Sequence, residues 1–140
     1  MNKVFKIAAI VLLIFTGLNA LISGALFMAD PSGKLMGMSK DYLLHSPFRT
    51  FLFPGIVLFL VNGLMNIMAS VYTLKNHPLS FKFIVLQGIL LSGWIVLQVI
   101  MVRDFNMLHG IMLGIGVLLM ACGLFIHSIA SSDTMDIHNP

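Results

Sequence analysis

The chain has 140 residues, of which 59% are hydrophobic and only 9% charged, and glutamate is absent. A soluble domain carries about 25% charged residues, so this inventory cannot cover a water-facing surface. The net charge of +3 falls in the connections between apolar runs, where cations hold helix ends at lipid headgroups, and no basic face or cluster exists to bind nucleic acid.

Four charge-free apolar stretches, 7–29, 50–74, 83–102 and 105–132, fill most of the chain. A hydrocarbon core of ~30 Å needs ~20 helical residues, and each stretch is long enough. The expected fold is all-α: a polytopic membrane protein forming an antiparallel four-transmembrane-helix bundle, in one domain over 1–140. The length leaves no room for an appended catalytic module.

The first helix is expected over about 4–28, ending before the turn cluster Asp30-Pro31-Ser32-Gly33. Lys3 and Lys6 ahead of an apolar run, with Ser23-Gly24-Ala25 downstream, resemble a signal peptide. The run continues to Ala29, longer than a usual signal core, and is therefore read as a retained helix. The second helix is expected over 47–74, with Ser46 as N-cap and Pro47 at the first helical position. Pro54-Gly55, two turns in, should kink it. Asn76-His77-Pro78 announces a third helix over 79–102. Asp104 or Asn106 can cap a fourth over 105–129.

Short connections make helices two, three and four antiparallel neighbours. The first connection, 30–49, is the long one. Leu35, Met36, Met38, Tyr42, Leu43 and Leu44 make it too apolar for a free loop, so it should form a short interfacial segment or fold back over the bundle mouth. Lys3, Lys6, Lys75 and Lys82 on one side balance Lys34, Lys40, Arg49 and Arg103 on the other. The two lysines ahead of the first helix favour cytoplasmic termini.

Each helix carries a polar or small-residue stripe at spacings of three, four or seven. These are Thr16, Asn19 and Ser23; Asn62, Asn66 and Ser70; Gln87, Trp94 and Gln98; and His109, Gly116, Gly123 and His127. Such spacings place each set on one face, turned from lipid into the bundle. Hydrogen bonding between helices accounts for them in the plainer reading, with a polar ligand cavity as the sharper one. Gly110-x-x-x-Gly114 and Ala20-x-x-x-Gly24 fit the small-xxx-small pattern of helix contact.

Several chemistries are disfavoured. The single cysteine, Cys122, excludes an intrachain disulfide or a CxxC pair. His109 and His127 lie on one helix about 27 Å apart, too far to share a metal or haem. The methionines are read as apolar filler rather than Cu(I) ligands. All the aspartates lie outside the spans, which argues against a proton-coupled exporter with an intramembrane carboxylate. No cofactor and no metal are expected.

The run ADPSGKLMGMSKDYLLHSPFRTFLFPGIVLFLVNG, 29–63, resembles a pattern in a family of small four-helix bacterial inner-membrane proteins. There a proline/glycine turn precedes a leucine-rich stretch, SPF, and a PG-containing apolar helix ending in an asparagine-glycine pair. GWIVLQV, 93–99, is similar to the same family. Topology and a glycine-rich style also resemble the DoxX-like four-helix proteins. The resemblance implies fold and bacterial inner-membrane location, and no activity.

The leading functional reading is a non-enzymatic integral membrane protein that binds membrane lipids or a membrane-protein partner. The alternative is a small transporter or channel acting as a homo-oligomer. Third is an enzyme on a lipid substrate, using His45 or His109 with Asp41 or Asp104. If a ligand site exists, it is expected at the mouth between the first connection and the third-to-fourth turn. Its expected residues are His45, Arg49, Asn62, Trp94, Gln98, Arg103 and His109, holding the polar head of an amphipathic molecule near Arg49 or Arg103.

Overall fold

A computed structural model describes residues 3–103 and 105–138. Helix α1 covers Lys3–Ala29, α2 Leu52–Leu74, α3 Ser80–Val102 and α4 Met107–His138. All four are long and apolar enough to cross a membrane, and no strand occurs among the described residues. The molecule is an all-α bundle of membrane-spanning helices, and its class is an integral membrane protein. Large apolar side chains such as Val11, Leu18, Ile22, Val96 and Leu118 stay exposed along the outer faces, as a lipid solvent requires.

Glycines pair the helices. A Cβ added at Gly24 of α1 would lie 2.7 Å from the Gly55 carbonyl oxygen of α2, and one at Gly88 of α3 would lie 2.6 Å from the Gly116 oxygen of α4. Backbone meets backbone at both places, the close approach that small residues permit in membranes. The bundle is thus two tight hairpins, α1/α2 and α3/α4. Ala20-x-x-x-Gly24 packs inside the bundle, whereas Gly114 is exposed with open space beside it.

Between the hairpins, one half of the bundle is filled and the other is not. Ala9, Leu13, Ala69, Ile84, Leu119 and Ile126 form the principal core, and Phe5 stacks on Phe125 at 5.2 Å to close α1 against α4 at that end. Toward the other end, Thr16, Asn19 and Ser23 of α1 line a cavity.

The first connection folds over that open end in two short 3-10 turns, Lys34–Met36 and Lys40–Leu43. Leu43 packs with Phe27 and Phe51 in a second core, with Met36 and Met38 against it. The Asp30 carboxylate organises the start of the connection, accepting from the Ser32 hydroxyl at 2.6 Å and from the Ser32 and Leu35 N–H groups. Gly33 has φ of 80°, and a Cβ there would lie 2.7 Å from the Phe51 ring. Only glycine fits both demands.

Helix α2 begins at Leu52, not at Pro47 as the sequence suggests. Ser46 closes a local turn instead, donating to the Leu43 carbonyl and accepting from the Phe48 N–H. Phe51 decides the start. Its N–H donates to the Pro31 carbonyl at 2.9 Å and its ring stacks on Phe27 at 5.0 Å. Pro54 therefore falls in the first turn, where a missing N–H costs nothing. The departure from α geometry lies further on, in a π-helical segment, Leu58–Leu64.

At the third helix, His77 Nδ1 accepts from the Leu79 N–H at 3.1 Å, just before Ser80. Helix α4 starts after Asn106, whose side chain accepts from the His109 N–H at 3.2 Å; Asp104, the other expected cap, lies outside the described residues. Helix α4 continues to His138 rather than 129, because no glycine or proline interrupts the polar stretch 128–138.

Candidate functional site

A cavity of about 390 Å³ occupies the open half of the bundle. Helical spacing brings its walls together. Thr16, Asn19 and Ser23 come from α1, Asn62 from the π segment of α2, Trp94 and Gln98 from successive turns of α3, and His109 from the first turn of α4. Met36, Gly37, Met38 and Tyr42 of the first connection line it from above. A side pocket of about 40 Å³ shares Trp94 and Gln98 and reaches toward Phe51, Pro54 and Met101.

Depth follows from helix geometry. Thr16 is the central residue of α1, 13 residues from each end of Lys3–Ala29 (16 − 3 and 29 − 16). Asn62 lies ten residues past Leu52 (62 − 52), or about 15 Å along the axis at 1.5 Å per residue. Both therefore sit near the midplane of a ~30 Å hydrocarbon core.

The polar groups at that depth are bare. Asn62 is 1% exposed, yet neither its Oδ1 nor its Nδ2 has a hydrogen-bond partner, and the Thr16 hydroxyl has none either. Asn66, one turn on, donates its Nδ2 to the Asn62 backbone oxygen at 2.6 Å. Ser70 and Thr73 likewise donate to carbonyls of their own helix. The α2 stripe is thus tied to its own backbone rather than to neighbouring helices, and at Asn62 it meets the cavity. Unpaired buried amides are costly enough that most find partners.

Among the described residues, no lysine, arginine, aspartate or glutamate lines the cavity. His109 Nδ1 accepts from the Asn106 N–H at 3.3 Å, which leaves the proton on Nε2 as a donor. Among the described residues, no three of histidine, cysteine, aspartate and glutamate form a metal-ligating group.

Of the residues expected at a site, Asn62, Trp94, Gln98 and His109 line this one cavity. His45, Arg49 and Arg103 do not line it and are exposed. The connection turns Met36, Met38 and Leu43 inward, which leaves His45 and Arg49 outside. Arg103 ends α3 with φ of 57°, its N–H donating to the Val99 carbonyl. Asp41 is exposed on the connection, and Asp104, the other carboxylate expected to act with His109, lies outside the described residues. Thr16, Asn19 and Ser23 were legible as a stripe, and only the fold shows that they form the facing wall.

Five lining residues are exposed: Asn19 and Leu108 on α1 and α4, and Gly37, Tyr42 and Asn106 at the mouth. An exposed asparagine this far inside a span signals a polar path rather than a lipid-facing surface. No family model, no curated protein and no solved structure matches this chain.

Proposed function

We propose that this is a non-enzymatic lipid-binding protein of the bacterial inner membrane, with cytoplasmic termini, which holds a membrane-derived ligand in the cavity beneath the first connection. The single observation that carries this reading is the Asn62 side chain, fully buried, unpartnered and on the wall of a 390 Å³ cavity. That volume lies within the ~300–1,000 Å³ of small-molecule sites, which place a few polar groups among apolar walls. Asn19 of α1 and Leu108 of α4, exposed and on the cavity wall, are assigned as its entrance from the bilayer. Among the described residues no carboxylate lines the cavity beside His109, which supports the non-enzymatic assignment, since general acid–base chemistry needs a positioned partner.

Purification from native membranes in mild detergent, followed by lipid extraction and mass spectrometry, tests the reading. One lipid species should be retained per chain and depleted in an Asn62→Leu variant that folds normally. Recovery of the wild-type protein with no enriched lipid would overturn it.

A further inference from the structure

Resting on that reading, we infer that the ligand is an uncharged lipid that enters polar end first, with a hydroxyl or carbonyl group meeting Asn62 and Thr16 at the bilayer midplane.

Three observations converge. First, the polar wall is made of amide, hydroxyl and imidazole groups, and among the described residues no ionic side chain lines the cavity. A phosphate or carboxylate placed there would be a buried charge with no counter-charge, which is strongly unfavourable. Arg49 and Arg103 are exposed outside it. Second, Asn62 has an unpartnered donor and an unpartnered acceptor and the Thr16 hydroxyl has no partner, all three buried in residues that line the cavity. A hydroxyl group can donate to one and accept from the other, and a carbonyl can accept from the amide. Third, both residues sit midway along their helices, so the ligand's polar end lies where a phospholipid keeps its chains. Only an uncharged group reaches that depth without a large penalty.

The rest of the molecule then leaves along the α1–α4 seam. Asn19, exposed and on the cavity wall, marks the polar group's way in, and Leu108 is an apolar rim for the chain. The direction is the reverse of a lipid held by its headgroup at the membrane surface.

The full chain in phosphatidylcholine nanodiscs is titrated with two labelled probes of the same acyl chain: 1-monooleoylglycerol, which is uncharged, and oleoyl lysophosphatidylglycerol, which is anionic. The uncharged probe should bind at one per chain and at least tenfold more tightly than the anionic one. Thr16→Val and Asn62→Leu should each weaken it about tenfold, and Thr16→Val preserves side-chain shape if Asn62→Leu disturbs folding. Equal or tighter binding of the anionic probe, or unchanged affinity in both variants, overturns the inference. So does binding of neither probe. In those cases a native lipid retained on purification leaves the lipid-binding reading standing, and none retained brings both down.

Discussion

Asn66 spends its amide on its own helix, donating to the Asn62 carbonyl at 2.6 Å, while the Asn62 side chain one turn earlier is left bare at the cavity. Of two asparagines four residues apart on one stripe, Asn66 thus leaves only its Oδ1 unpartnered, whereas both polar side-chain atoms of Asn62 are unpartnered. Asn62→Leu should leave stability unchanged or raise it by about 1 kcal/mol, since it removes a buried amide that makes no hydrogen bond within the protein. Asn66→Ala should cost about 1–3 kcal/mol, through the lost bond and the space left at a fully buried position. Thermal unfolding in detergent reads both. A destabilised Asn62→Leu would show that its amide has a structural partner.

The glycine contacts make a second contrast. Gly88→Ala drives a methyl group to 2.6 Å from the Gly116 oxygen, backbone that cannot yield without separating α3 from α4. A loss of about 1–3 kcal/mol is expected, as for overpacked cores. Gly93→Ala, on the same helix with nothing within 4 Å, should instead be neutral or gain up to ~1 kcal/mol from helix propensity. Melting temperatures of the two variants check the ordering.

Arg49 and Arg103 test where the ligand's polar end lies. Neither lines the cavity, so Arg49→Ala and Arg103→Gly should bind the uncharged probe with wild-type affinity. Arg103 also carries φ of 57°, a conformation that suits glycine. Arg103→Gly should therefore hold melting temperature within the equivalent of about 1 kcal/mol, relief of strain opposing the greater freedom of the unfolded chain. A tenfold loss of affinity in either variant would place the polar end at the membrane surface.

Acid should act on the turn that anchors the first connection. The Ser32 hydroxyl, helped by the Ser32 and Leu35 N–H groups and by Lys34, holds the Asp30 carboxyl below its usual range against an opposing desolvation. A depressed folded value means that the turn's stabilisation is present above the unfolded value and fades as pH falls through the folded one. Ser32→Ala should move the Asp30 titration upward toward ~3.9, as followed by carboxyl-carbon NMR. The ordering of Leu35 and Met36 should then be lost at a higher pH than in the wild type.

Helix number, the single domain and the polar stripes were legible because apolar length and 3.6-residue spacing are local properties. Thr16, Asn19 and Ser23 share a face whatever surrounds them. The start of α2 was not legible. Pro47 and Pro54 both suit a first turn, and the choice falls to Phe51, whose contacts with Phe27 and Pro31 cross 20 or more residues of chain. The π segment at Leu58–Leu64 has no composition that announces it. At the site, Asn62, Trp94, Gln98 and His109 could be placed from register alone. His45, Arg49 and Arg103 were grouped with them because they share a membrane face, but sharing a level does not fix which way a side chain points. The connection turns Met36, Met38 and Leu43 inward and leaves His45 and Arg49 outside.

The chain has one tryptophan, and Trp94 stands on the cavity wall and on that of the adjoining side pocket. Its indole emission therefore reports from one spot in the molecule, without a label and without a background from other tryptophans. An occupant that displaces solvent from the indole must shift that emission to the blue, so the protein carries its own optical gauge of whether the chamber is full.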